Sequence, residues 1–267
     1  MPNRIDACFQ KLRESQKAAF IAYITAGDPT PAATPALAAA LEAAGVDILE
    51  LGIPFSDPLA DGATIQAAAG RAIAAGTNVP VVLDIVRRIR EVSAVPIVLF
   101  TYLNPIYVYG YERFIGDAST AGADGVLILD LPPDEAAGNA ELAGIHGLLS
   151  IRLIAPTTPP ERMELIARSA EGFIYYVSRE GVTGAQVSLS QSISSQVAEI
   201  RKHTALPVAV GFGISTPDQA REVARQADAV VVGSAIVRRI AEEGDTPGLD
   251  GVIEAFASPI AAAVKGA

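Results

Sequence analysis

A chain of 267 residues, half of them apolar and 19% charged, has enough material for one large core and too little polarity for a disordered segment. A net charge of −10 without a local basic patch argues against a nucleic-acid surface, and Arg87, Arg88 and Arg90 cluster on an amphipathic helix pattern where a solvated face is the default. The single cysteine, Cys8, excludes an internal disulfide, and the lack of any run of roughly 18 apolar residues argues against a membrane-spanning helix.

From the N-terminus, residues 3–14 pattern as a helix, with Ile5, Phe9 and Leu12 on one stripe. The stretch is polar and amphipathic, unlike a signal peptide, so a cytoplasmic location is expected. A repeat of short apolar strand and longer Ala-rich helix follows. Strands are predicted at 19–25, 47–52, 96–102, 125–130, 149–154, 172–178, 207–211 and 229–233. Helical patterns fill the intervals, for example at 34–44, 79–92, 113–121, 160–170, 193–203 and 217–225. Alternating βα units imply a parallel sheet, and eight of them in about 250 residues fit a closed (β/α)8 barrel better than an open sheet. The expected fold is an α/β TIM barrel with an extra N-terminal helix across its bottom. No linker or compositional break divides the chain, so residues 1–267 are expected to form a single domain.

In such barrels the chemistry lies at the C-terminal strand ends. The only histidines, His146 and His203, both precede strands, and none of Lys11, Lys17, Lys202 and Lys265 follows one. A His-based triad, a zinc site or a Schiff-base lysine therefore has nothing to build from at the top. Acids remain there: Asp28, Glu50, Asp57, Asp61, Asp130 and Glu180. So do the hydroxyls of Tyr102, Tyr175, Ser178 and Thr183. Asp28 in Gly27-Asp28-Pro29 and Asp130 before Leu131-Pro132-Pro133 read first as turn formers.

The second strand is the informative one. Ile48, Glu50 and Gly52 share one face of it, so Glu50 is a lone charge on an apolar strand, near its end. Burying an unpaired carboxylate costs roughly several kcal/mol. One reading is an ion pair inside the barrel; the favoured one is a carboxyl with a burial-raised pKa that delivers a proton near neutrality. A proline-containing loop leads on to Asp61, whose Asp-Gly pair serves equally well as a turn.

Glycines after the last strands suggest an anion. Gly211-Phe212-Gly213-Ile214-Ser215 follows the seventh, and Gly233-Ser234-Ala235 follows the eighth and opens a helix. Loops in these places cradle phosphate in many barrels, because glycine lets backbone N–H groups come close and a helix N-terminus adds its dipole. The long polar segment 179–192 after the sixth strand is a candidate lid.

The run Glu50-Leu51-Gly52-Ile53-Pro54-Phe55-Ser56-Asp57-Pro58-Leu59-Ala60-Asp61-Gly62 resembles the signature of the tryptophan synthase alpha subunit family. So do Gly27-Asp28-Pro29, Tyr102-Leu103-Asn104-Pro105, Asp130-Leu131-Pro132, Ser178-Arg179-Glu180-Gly181-Val182-Thr183-Gly184 and the two glycine motifs, in the family's order. The resemblance implies retro-aldol cleavage of indole-3-glycerol phosphate to indole and glyceraldehyde 3-phosphate. It implies Glu50 and Asp61 as the catalytic acids, Tyr175 and Thr183 as substrate-binding, and Gly184, Gly213, Gly233 and Ser234 as phosphate-binding. Tyr102 and Phe212 are further substrate-binding candidates. Ala63 stands where proline is usual, and Glu180 adds a charge to the lid.

The residues present suit that chemistry. With no lysine for an iminium and no metal set, the electron sink must be the substrate's own indole, protonated at C3. No cofactor is expected for this chain. The family further implies a partner, the pyridoxal-phosphate-dependent beta subunit, in an alpha2-beta2 complex. Ile53, Pro54, Phe55, Pro58 and Leu59 form an apolar loop that fits such a contact. The alternatives are a stand-alone indole-releasing lyase, another phosphate-binding barrel isomerase or epimerase, and a non-enzymatic activating subunit.

Overall fold

The structure is a computed structural model that describes residues 3–177, 186–211 and 213–267. Its elements run α1 (Arg4–Glu14), β1 (Ala19–Thr25), α2 (Thr34–Ala43), β2 (Ile48–Gly52), α3 (Ala63–Ala74), α4 (Val79–Arg90), β3 (Ile97–Thr101), α5 (Leu103–Tyr109), α6 (Tyr111–Ala121) and β4 (Gly125–Ile128). They continue with α7 (Pro133–Ile145), β5 (Leu149–Ile154), α8 (Pro160–Arg168), β6 (Ile174–Val177), α9 (Gln186–Ile200), β7 (Val208–Gly211), α10 (Pro217–Ala224), β8 (Ala229–Val232), α11 (Ser234–Glu243) and α12 (Leu249–Lys265). The eight strands are parallel and close on themselves in chain order, β8 pairing with β1. The (β/α)8 barrel anticipated from the sequence is the one observed. Among the described residues no single helix is long and apolar enough to cross a membrane.

The barrel interior is filled from both ends of the alternation. Ile21, Ile48, Val98, Leu127, Ile151, Ala209 and Val231 point inward and pack together, joined from below by Ile5, Phe9 and Leu12 of α1. Phe9 meets Phe173 with ring centroids 5.7 Å apart. The apolar stripe of α1 thus seals the N-terminal end, and each such fully buried side chain contributes about 1.5–3 kcal/mol. Carboxylates at the strand starts tie the helices to this end. Asp124 accepts from Arg4 at 2.8 Å, from Arg90 at 2.7 Å and from the Ile97 amide at 2.8 Å. Asp47 accepts from the Phe20 amide at 2.7 Å and pairs with Lys265 of α12. Each of these bonds leaves the opposite, C-terminal end of the barrel free for other work.

The strands at 19–25 and 149–154 fall where the pattern places them; the others are shorter by one or more residues, because the pairing ladder stops before the apolar run does. Four helices carry weak signals of their own. Helix α3 buries only Ala68, Ala69 and Ala72, so it has no stripe of large apolar residues. Helix α5 begins at the Leu103-Asn104-Pro105 motif, and α7 is rich in alanine and glycine. Helix α12 has Pro259 inside it and still runs to Lys265, packed against α2 and α10. Helix α9 starts earlier than 193 and ends at Ile200.

Candidate active site

Register decides which side chains share the barrel mouth, since side chains alternate along each strand. Tyr23 stands opposite Glu50 across β1 and β2, and Glu50 stands opposite Val98 across β2 and β3. Two residues further along, Gly52 pairs with Phe100. Glu50 is completely buried, and among the described residues neither of its carboxyl oxygens has a hydrogen-bond partner. The interior ion pair is therefore not what keeps this acid in the barrel. Burial without a partner favours the neutral form and pushes its pKa up to about 8.

Three rings lie near it. Phe100 meets Tyr23 edge-on at 5.2 Å and Tyr175 at 6.3 Å, a continuous row from β1 through β3 to β6. Burial, and to a smaller degree the nearby carboxylates Glu50 and Asp61, push the hydroxyls of Tyr23 and Tyr175 up, so both phenols stay protonated as donors.

Asp61 ends the loop after β2. The Pro58 carbonyl accepts from its amide at 3.0 Å, and Gln66 of α3 donates to its carbonyl at 2.9 Å. These bonds make the turn that the Asp-Gly pair advertises, and they leave the side chain free to act. The Tyr102 hydroxyl accepts from the Ala60 amide at 3.0 Å and so stands next to Asp61. Burial pushes the Asp61 carboxyl up, and Tyr102 opposes that by favouring the anion. Phe55 packs on the Tyr102 ring, centroids 5.4 Å apart. Tyr102, anticipated as a substrate contact, is thus placed as the clasp of the loop that carries Asp61.

Gly213 and the pair Gly233-Ser234 follow the adjacent strands β7 and β8. Gly213 has φ +63, a conformation that other residues adopt only with strain. Ser234 is the first residue of α11, and the Gly233 carbonyl accepts from the Val237 amide at 3.0 Å. Among the described residues the amides of the first turn have no partner, as an anion site at a helix N-terminus requires. Thr183, Gly184 and Phe212 lie outside the described residues, as do residues 179–185 of the expected lid, so the structure is silent on these.

Two expectations are corrected. Asp28 is more than a turn former: it is 1% exposed and takes a bidentate pair from Arg71 of α3, at 2.8 and 2.9 Å. That bond ties the loop after β1 to the helix after Asp61, and no local sequence signal links two residues so far apart. The apolar loop after β2 is also less exposed than its composition suggests. Ile53 and Pro54 are buried, Phe55 is half-buried on Tyr102, and Leu59 alone stands out, at 91% exposure. Beside this mouth, Tyr107 and Val108 of α5 are exposed at 75% and 77%, and the sequence reading did not single them out.

Comparison with known proteins is consistent with this geometry. The family model for the tryptophan synthase alpha chain matches residues 9–259. The tryptophan synthase alpha chain of Geobacter sulfurreducens is 56% identical over 236 residues, covering 88% of this chain and 89% of that one. That of Opitutus terrae is 51% identical over 245 residues, covering 92% of each. Among solved structures, tryptophan synthase subunit alpha from Legionella pneumophila superposes with a TM-score of 0.92 at 41% identity, covering all of both chains. A Mycobacterium tuberculosis tryptophan synthase structure gives 0.88 at 36% identity, covering 99% of each.

Proposed function

The chain belongs to the tryptophan synthase alpha chain family, and on that footing we propose that Glu50 and Asp61 are the two acids with which it works. It is a carbon–carbon lyase of tryptophan biosynthesis, cleaving indole-3-glycerol phosphate into indole and glyceraldehyde 3-phosphate.

The steps follow from the residues. Glu50, neutral in the resting site, gives its proton to C3 of the indole, and the ring becomes an iminium-like electron sink. The bond from C3 to the glycerol carbon then breaks, its electron pair returning to the ring. The Glu50 carboxylate takes the proton of the hydroxyl on that carbon, which becomes the aldehyde, so the acid ends as it began. Asp61 accepts from the indole N–H, whose positive charge grows when C3 is protonated. An acid–base group of this kind accelerates the reaction by roughly 10²–10⁴. The phosphate sits on the amides at Gly213, Gly233 and Ser234, with Gly184 as a further contact. Tyr175 and Phe100 flank the indole, and the family resemblance adds Thr183 and Phe212, outside the described residues, as substrate-binding residues.

The observation that carries the reading is the Glu50 carboxyl, fully buried and, among the described residues, with both oxygens unpartnered. A structural role leaves no reason for a buried acid without a partner. Indole release by the chain and by a Glu50→Gln variant tests it.

The enzyme functions with a beta subunit. We propose an alpha2-beta2 assembly in which the pyridoxal-phosphate-dependent beta subunit docks over the barrel mouth and receives the indole. Leu59, Tyr107 and Val108 support this, being large apolar side chains exposed beside that mouth.

A further inference from the structure

β1 lies between β8 and β2 in the barrel. If the phosphate sits at Gly233 and Ser234, after β8, and the indole at Asp61, after β2, the glycerol carbons that join them must pass β1. Two inward side chains of β1 stand there, Tyr23 and Thr25. Tyr23 reaches across this interval. A Cβ placed on Gly233 would come within 3.2 Å of the Tyr23 Cβ, and one placed on Gly52 would collide with the Tyr23 hydroxyl. The ring therefore starts beside the phosphate strand and ends over β2, next to the level of Glu50. Glycine at both positions is what leaves room for it.

The hydroxyl at the end of that ring is underused. Tyr23 is 8% exposed, and among the described residues its hydroxyl has one hydrogen-bond partner, Thr25 Oγ1, at a long 3.4 Å. A buried phenol ordinarily finds a good partner, and one contact at that distance leaves its donor capacity largely free. Thr25 itself is 2% exposed, so the pair is shielded from solvent. The ring is held from the other sides by Phe100, Ile65, Ala68 and Val237, so the hydroxyl is fixed in place and not free to swing away.

We propose that Tyr23 is a specificity-determining residue whose hydroxyl hydrogen-bonds the glycerol hydroxyls of the substrate. This rests on the placement of phosphate and indole given above. Its consequence is that the site reads the hydroxylated three-carbon chain as well as the phosphate and the ring, and rejects phosphates that lack the hydroxyls. A neutral hydrogen bond of this kind is worth roughly two- to tenfold in affinity.

Glycerol 3-phosphate and propyl phosphate differ only in those hydroxyls, and neither is cleaved, so their affinities measure the contact directly. The unchanged chain is expected to bind glycerol 3-phosphate several-fold more tightly. Tyr23→Phe should abolish most of that difference while leaving the affinity for propyl phosphate as it was, which also shows that the variant is folded. Equal binding of the two phosphates by the unchanged chain, or a Tyr23→Phe loss that is the same for both, overturns the assignment. Failure of the unchanged chain to bind either phosphate overturns the phosphate site itself, and this inference with it.

Discussion

The Tyr102 hydroxyl accepts from the Ala60 amide at 3.0 Å and also favours the anion of the neighbouring Asp61 carboxyl. One side chain at the end of β3 therefore fixes both the path of the loop after β2 and the charge state of the acid that ends it. Phe55 stacked on the same ring completes the clasp. The coupling has a direction. A hydrogen bond donated to a carboxylate favours the anion, so Tyr102 works against the burial that pushes Asp61 up.

Removing that hydroxyl gives a first prediction. Tyr102→Phe should raise the Asp61 pKa and move the acidic limb of the kcat/KM profile to higher pH. It should also lower kcat/KM by about tenfold, since one bond of roughly 1 kcal/mol and the loop order it provides are lost together. The pH profile is the discriminating measurement, because a loss of packing alone lowers the profile without shifting it.

Glu50 makes the stability of the fold depend on pH, with the opposite sign to an ion-paired carboxylate. Its folded pKa of about 8 lies above the ordinary value of 4.5, so between these limits the folded chain holds a proton that the unfolded chain has released. Stability then falls as pH rises through this window and levels off above about 8. Glu50→Gln, with no proton to lose, should be more stable than the unchanged chain by a few kcal/mol at pH 8.5, and the gap should shrink toward pH 5. Denaturant unfolding at the two values measures it. A gap that is constant with pH contradicts the raised pKa.

The partner face can be separated from the site. Tyr107→Glu and Val108→Glu place charges on side chains that are three-quarters exposed, so the fold should be nearly unaffected, within about 0.5 kcal/mol. Association with a cognate beta subunit should weaken by tenfold or more, and with it the stimulation of indole release that docking provides. Titration of the beta subunit against each variant checks this. Undiminished association moves the docking face elsewhere on the barrel.

Much of this molecule was legible in its sequence, and the reasons are specific. The βα repeat and the lone acid at Glu50 are signals that local pattern carries well, because a charge on an apolar strand is conspicuous without any knowledge of its neighbours. Gly213 and Gly233 follow adjacent strands where the pattern places them, and Gly213 takes the positive φ that glycine favours. What pattern does not carry is contact between distant segments. The Asp28–Arg71 pair joins the loop after β1 to helix α3. Tyr102 looked like a site hydroxyl, and its bond to the Asp61 loop depends on how two strand ends meet. Ile53 joins the main core and Pro54 is buried beside it in the chain, whereas their apolar character alone pointed to an exposed face. Helix α3 was faint because alanines, not large side chains, bury its inner side.

Indole release from indole-3-glycerol phosphate by Glu50→Gln tests the central claim most directly. The amide keeps the shape of the acid and has no proton to transfer, so turnover should fall by at least about 10²-fold. Binding of glycerol 3-phosphate should remain near that of the unchanged chain. The unchanged chain should lose kcat/KM above about pH 8, as Glu50 ionises and ceases to be an acid. A Glu50→Gln chain that binds the phosphate and still releases indole at close to the normal rate would contradict the account, because the proton would then have to come from another group.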